Sequence, residues 1–227
     1  MNKTIDNFLK SLEKVEESDF TISKAILVEE QFNVHEDEYS TYENNFVTKL
    51  NEKYAILNEI GIIKEPKELI RQFQIPKKYV YGVDRDIVLE RCVDKMILLL
   101  GDKVDTVKEL SLIPDFIIHK EQDNMDMENQ RLIVEVKTEA NISYKKFAWD
   151  FFKLNIYVEK MKFQNGIFLS INTEIERIEE FIHRYITDKL YIASRPFDIY
   201  FIIKKNYSTD AYTLALWEYM YTNGRKK

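Results

Sequence analysis

One cysteine, five glycines, four prolines and three histidines in 227 residues leave several chemistries without material. The lone thiol, Cys92, excludes an internal disulfide and a cysteine-based zinc site, and its position on an apolar helical stripe marks it as core. His35, His119 and His183 are scattered through the chain and suggest no triad, and no Gly-x-Ser-x-Gly elbow accompanies them. A glycine-rich phosphate loop is missing too, which excludes nucleotide-triphosphate hydrolysis by that route. So few glycines and prolines leave little room for flexible linkers. There is no internal repeat and no low-complexity tract. The longest apolar runs, such as Met96 to Leu100, are too short to span a bilayer. Met1 to Lys14 carries scattered charges and no apolar h-region of a secretory signal, so a cytoplasmic location with no membrane partner is the expectation.

Apolar residues at 45% and aromatics at 13% argue for a folded chain, long enough for one good core with an appended segment or for two small domains. The formal net charge of -6 at first counts against a nucleic-acid partner. Its distribution weakens that objection, because residues 1–60 hold 6 Lys+Arg against 13 Asp+Glu and the remainder is close to neutral. Charge therefore permits a nucleic-acid partner without supporting one.

Apolar residues recur at helical spacing from Asp6 to Glu17 and from Tyr42 to Ile60. In the second stretch Phe46, Leu50, Tyr54, Leu57 and Ile60 form one stripe, and Gly61 stands where a helix C-cap belongs. Residues 1–75 thus read as a mostly helical, acidic N-terminal part, with 76–227 as the core and a C-terminal extension. His35 is followed by Glu36, Asp37 and Glu38; a His beside acids can ligate a metal, but a solvated turn is the plainer reading.

Asp84 to Leu100 follows as a helix with the stripe Leu89, Cys92, Val93, Met96 and Leu100, ended by Gly101. At about 100° per residue Glu90 falls at the edge of that stripe, and Asp86 sits where the helix dipole favours an acid. Val104 to Leu112 reads as a first strand. Ser143 to Phe163 reads as a long helix with Phe147, Phe151, Leu154, Val158 and Met161 on one side and Lys145, Lys146 and Lys153 off that stripe. Gly166 to Ile171 is a short strand. Thr173 and Glu176 have the spacing of a capping box opening a helix through Ile175, Ile178, Ile182 and Tyr185. Phe197 to Ile203 reads as a strand buried on both faces, and Asp210 to Tyr221 fits helix or strand.

The stretch that organises the rest runs from Ile113 to Glu139. One apolar strand opens with Pro114-Asp115, a mostly polar connection covers Glu121 to Arg131, and a second strand carries Glu135-Val136-Lys137. Side chains alternate across a strand, so Leu132, Val134 and Val136 point one way and Ile133, Glu135 and Lys137 the other. Glu135 and Lys137 then share a face, roughly 6 to 7 Å apart along the strand. Closing the hairpin brings Asp115 beside them. Two carboxylates and an ammonium meet at a sheet end on strands otherwise fit for burial, where charges must pair or bind a cation.

Pro-Asp, a variable spacer, then Glu-x-Lys resembles the PD-(D/E)XK nuclease superfamily, and the order helix, three strands, helix, strand from 84 to 171 matches its core. The resemblance implies an α/β fold with a restriction-endonuclease-like αβββαβ core, a mixed central sheet flanked by helices. It implies that Asp115, Glu135 and the Val136 carbonyl hold Mg²⁺, with Mn²⁺ able to substitute, and that Lys137 positions the attacking water or stabilises developing charge. The superfamily's helix before the core strands often adds one more acid, for which Glu90 is the candidate. Lys145, Lys146 and Lys153 follow Lys137 closely enough to meet a phosphate backbone, and equally fit ordinary solvated helix charges. A metal-dependent DNA endonuclease of the restriction or host-defence kind is the expected function, acting on DNA rather than RNA and as a homodimer, since cutting both strands with single sites takes two copies. An RNA endonuclease of the cap-snatching sort, with His35 as its upstream histidine, is one alternative. A non-catalytic binding or assembly subunit on the same scaffold is another. Lys137, at a strand end, is expected to add little to stability.

Overall fold

The computed structural model describes residues 2–20, 36–66, 68–72, 77–78, 86–101, 111–120 and 126–224. Amphipathic spacing makes the N-terminal helices. Asn2 caps α1 (Lys3–Leu12) by accepting the Thr4 N–H, α2 (Glu17–Phe20) is a single turn, and α3 (Glu36–Glu59) is the longest helix among the described residues. Phe46, Leu50, Tyr54 and Leu57 are buried as their spacing predicts, and Gly61 adopts φ 76°, the left-handed conformation a C-cap asks for. Ile60 departs from the expected stripe. It lies past the last helical residue, where the chain turns, and is 63% exposed.

Strand β1 (Leu69–Gln72) and the two-residue β2 (Lys77–Lys78) precede α4 (Ile87–Leu100). Asp86 is the N-cap of α4, accepting the Leu89 N–H, and Gly101 closes the helix at φ 70°. Then come β3 (Ser111–Leu112), β4 (Phe116–Lys120), β5 (Gln130–Lys137), α5 (Tyr144–Glu159) capped by Ser143, β6 (Gly166–Ile171), α6 (Ile175–Thr187), β7 (Ile199–Lys204), β8 (Tyr212–Ala215) and α7 (Leu216–Gly224). The fold is α/β. Among the described residues, seven α-helices surround a mixed, open six-stranded sheet of order β1-β4-β5-β6-β7-β8. Its centre, β5-β6-β7, is parallel, which requires crossovers, and α5 and α6 supply them. The flanks, β1-β4-β5 and β7-β8, are antiparallel.

Each face of the sheet carries its own apolar layer. Phe116, Leu132, Val134, Val136, Ile167 and Leu169 pack with Ile5, Phe8, Phe46 and Leu50 of the N-terminal helices. Ile117, Ile133, Phe168 and Phe201 pack on the opposite side with Phe147, Phe151 and Leu154 of α5 and with Leu89, Val93 and Met96 of α4. The helices of residues 1–75 therefore share a core with the sheet.

Several sequence expectations change in detail. The strand beside β4 is β1, from 69–72, and not 104–112. Of the latter stretch only Ser111–Leu112 lies among the described residues, and it pairs with Lys77–Lys78 in a separate two-stranded sheet. Helix α4 thus enters between two strands of the main sheet. Thr173 is no cap: its hydroxyl donates to the Glu139 carbonyl, and Glu174 occupies the N-cap of α6 without a side-chain bond. Phe197 belongs to a 3-10 turn and is 52% exposed, so β7 begins two residues later. Asp210 to Tyr221 holds a strand and a helix in succession, which is why its pattern fits both.

Candidate functional site

The antiparallel β4–β5 ladder pairs Phe116 with Val134 and Ile117 with Ile133. Carried one residue further, that register sets Asp115 against Glu135. Alternation then puts both carboxylates on the side of the sheet that α5 covers. Asp115 Oδ2 accepts the Val136 backbone N–H at 2.6 Å, which fixes the carboxylate at the end of β5. Glu135 is 1% exposed. The expected trio of Asp115, Glu135 and Lys137 is therefore brought to one place.

Three further charged groups complete the cluster, two of them on the next helix. Asp150 and Lys153 are three residues apart on α5 and pair at 2.8 Å. Lys153 Nζ also lies 2.7 Å from Glu135 Oε2, and Asp150 Oδ2 lies 3.1 Å from Lys137 Nζ. The sixth group, Glu43, descends from α3 on the other face of the sheet and takes Lys137 Nζ at 3.0 and 3.2 Å. Four carboxylates thus surround two ammoniums where β4 begins and β5 ends. With every group ionised, two negative charges stay uncompensated.

Burial governs the titration of the acids, and their crowding adds to it. Burial, reinforced by neighbouring carboxylates, raises Asp115 and lifts Glu135 well above the usual carboxylate range, against the pull of Lys137 and Lys153. Burial also pushes Glu43 up to about 8, with Lys137 opposing and Asp115 and Asp150 adding to the rise. Asp150 alone goes down: burial would raise it, but two ammoniums contact it directly and win. Burial would lower Lys137 and Lys153, and the surrounding carboxylates raise both instead. The Tyr157 hydroxyl, one helical turn beyond Lys153, is raised by burial and then by the charges of Glu135, Asp115 and Asp150.

Glu135 Oε1 and the Tyr157 hydroxyl are both buried; the two groups interact with each other, and neither has another hydrogen-bond partner among the described residues. Carboxylates crowded this closely, their ionisation held back by burial, suit a hard cation such as Mg²⁺ or Mn²⁺, which would take the place of their protons. Among the described residues no three His, Cys, Asp or Glu side chains are arranged as a ready ligand set. The physical reason is visible in the pairs: lysine ammoniums stand between the carboxylates as counter-ions.

The other expected site residues lie elsewhere. Glu90 is exposed in the first turn of α4, whose buried stripe packs against α5. Lys145 is exposed, and Lys146 pairs with Glu139 at 2.8 Å. Lys153, expected on a nucleic-acid surface, is instead buried in the cluster. Lys137 is no loose strand-end lysine either, with its side chain 12% exposed and two carboxylates on its ammonium. His119 is buried on β4, its Nε2 2.7 Å from Gln72 Oε1 of β1. His35 lies outside the described residues.

Asp150 and Glu43 escaped the sequence reading. For Asp150 a signal existed: Asp150 and Lys153, opposite in sign and one turn apart, interrupt the apolar run Phe147-Ala148-Trp149-Asp150-Phe151-Phe152-Lys153-Leu154, where isolated charges would be costly. Glu43 has no such signal, since nothing near it in the chain marks it off from other acids on an amphipathic helix. No family model, no curated protein and no solved structure matches this chain.

Proposed function

We propose that this protein is a metal-dependent nuclease built on a restriction-endonuclease-like scaffold, and that it cuts DNA in the manner of restriction or host-defence endonucleases. One observation carries the reading: Asp115, Glu135 and Lys137 meet at the end of one hairpin, inside a buried cluster with two carboxylates to spare. Asp115, Glu135 and the Val136 carbonyl are the groups to hold Mg²⁺ or Mn²⁺. A divalent ion so held supplies an acidified water and polarises the phosphoryl oxygen. The acid expected from α4 comes instead from α3, as Glu43. Lys137, at the end of β5, is the ammonium to orient the incoming water and to offset charge developing on the phosphoryl oxygens. Asp150 sets the position of that ammonium.

Cutting both strands of a duplex with one such site per chain favours a homodimer. The test is incubation with supercoiled plasmid, single-stranded DNA and RNA, each with Mg²⁺, Mn²⁺ or EDTA, alongside Lys137→Arg. Cleavage of DNA that EDTA and the substitution both abolish is expected. Cleavage of RNA alone would move the assignment to the RNA endonucleases. Binding without cleavage in every condition would make the protein a non-catalytic subunit.

A further inference from the structure

Lys153 Nζ sits in a cage of oxygens. It lies 2.7 Å from Glu135 Oε2, 2.8 Å from Asp150 Oδ1 and 3.5 Å from the Ile113 carbonyl. Its side chain is 9% exposed and that of Glu135 1%. An ammonium has three donors and no acceptor, and here they meet oxygens of the type that ligate hard divalent cations. Beside them Glu135 Oε1 is buried, with the Tyr157 hydroxyl as its one neighbouring partner among the described residues. The lysine thus occupies a setting whose donors would serve a small cation as well.

We propose that Lys153 is a resident counter-ion that competes with the divalent metal for Glu135. This inference rests on the metal-dependent reading above and adds what governs loading of its site. A buried carboxylate left without positive charge is strongly unfavourable, so in the absence of an ion Lys153 keeps Glu135 compensated. An ion at Glu135 and an ammonium on the same carboxylate repel each other at short range in a poorly screened interior. One of the two therefore withdraws.

Asp150 makes the withdrawal possible. It lies on the same helix as Lys153, three residues back, and its Oδ1 already holds the ammonium. When an ion takes Glu135, Lys153 gives up one partner and keeps the other. Asp150 Oδ2 meanwhile holds Lys137 at 3.1 Å, so one carboxylate keeps the two ammoniums apart. The consequence is an affinity for metal lower than the carboxylates alone would give.

The test is calorimetric titration of the full chain with Mn²⁺, checked by the loss of the free-ion signal in electron paramagnetic resonance. Wild type is compared with Lys153→Met, which keeps bulk without charge, and with Lys153→Gln, which keeps an amide donor for Glu135. Both variants are expected to bind Mn²⁺ about tenfold tighter or more, within the range over which groups around a metal's ligands alter its affinity. A Met variant that folds only with Mn²⁺, by circular dichroism, supports the same conclusion, since the ion then does what the ammonium did. Wild-type binding with equal or weaker binding by the folded variants would overturn the competition and leave the metal-dependent reading in place. So would a Gln variant that stays unfolded at saturating Mn²⁺. Absence of Mn²⁺ binding by wild type and variants alike would overturn both.

Discussion

Asp115 Oδ2 accepts the Val136 backbone N–H at 2.6 Å, so the carboxylate that opens β4 also ties down the last turn of the ladder on β5. The contact joins stability to chemistry. It holds the backbone of the residue between Glu135 and Lys137, and thereby the angle at which both side chains leave the strand.

Replacing Asp115 separates the two roles. Asp115→Ala leaves the Val136 N–H without its acceptor, a loss of roughly 1–3 kcal/mol for a buried donor. Asp115→Asn keeps an oxygen in place and is expected to lose less stability, while both variants are expected to lose the proposed DNA cleavage. Urea denaturation at neutral pH beside a plasmid assay checks this. Equal destabilisation by Ala and Asn would mean that the hydrogen bond does not anchor the strand end.

Lys137→Ala is expected to unsettle the fold as well as the activity. Asp150, kept ionised, pairs with its ammonium with a side chain 8% exposed and Glu43 accepts from it as well, and stripping a partner from a buried ion pair typically costs about 3–5 kcal/mol. Lys137→Arg keeps the charge and should retain most of the stability while losing cleavage, because its planar fork cannot reproduce a point ammonium. Guanidinium titrations of the two variants discriminate. An Ala variant as stable as wild type would show that the network contributes nothing to folding.

The trio was legible in the sequence because strand alternation is strict: a period of two places Glu135 and Lys137 on one face, and a hairpin brings Asp115 to them. What escaped required knowledge of packing. Glu43 stands 94 residues from Lys137, and only the seating of α3 on the sheet joins them. Glu90 shows the converse limit, since rotation about a helix axis says which side of α4 is apolar but not that this side packs on α5 and leaves Glu90 exposed. Strand β1 reads Leu-Ile-Arg-Gln, with every residue half-buried. Four residues without alternation carry no strand signature, and only the open edge of β4 gives them that conformation.

Stability is expected to fall as pH rises toward 8. Glu43 is raised to about 8 in the folded chain, chiefly by burial, against a reference of 4.5. Between those values the folded protein keeps a proton that the unfolded chain releases. The contribution is thus complete at the acid end and is lost progressively until the folded group ionises, with a slope of at most about 1.4 kcal/mol per pH unit for one group. Asp115 and Glu135 are raised too and act in the same sense. Asp150, being lowered, acts oppositely and only at the acid end, as pH falls through its folded value. Urea midpoints measured across this range should decline for wild type and decline less steeply for Glu43→Gln. Parallel curves would show that Glu43 is an ordinary surface acid.

Gly166 links the frame to the site from the far side of α5. It is the first residue of β6 and pairs with Ile133. A Cβ there would lie 2.9 Å from Val158 Cγ2 and 3.1 Å from Leu154 Cδ1, both on buried α5 residues. Both side chains are fully buried, so Gly166→Ala is expected to crowd α5 against the sheet, an overpacking penalty of about 1–3 kcal/mol. The same helix carries Asp150 and Lys153, whose 2.7 Å approach to Glu135 depends on its seating. Both stability and cleavage should therefore drop. The mechanism is specific enough for a double-mutant cycle: trimming Val158 to Ala in the Gly166→Ala background should restore part of the loss, so that the pair costs less than the sum of the single changes. Strict additivity, with Gly166→Ala still active, would mean that the strand moves instead and that the site does not depend on this close contact.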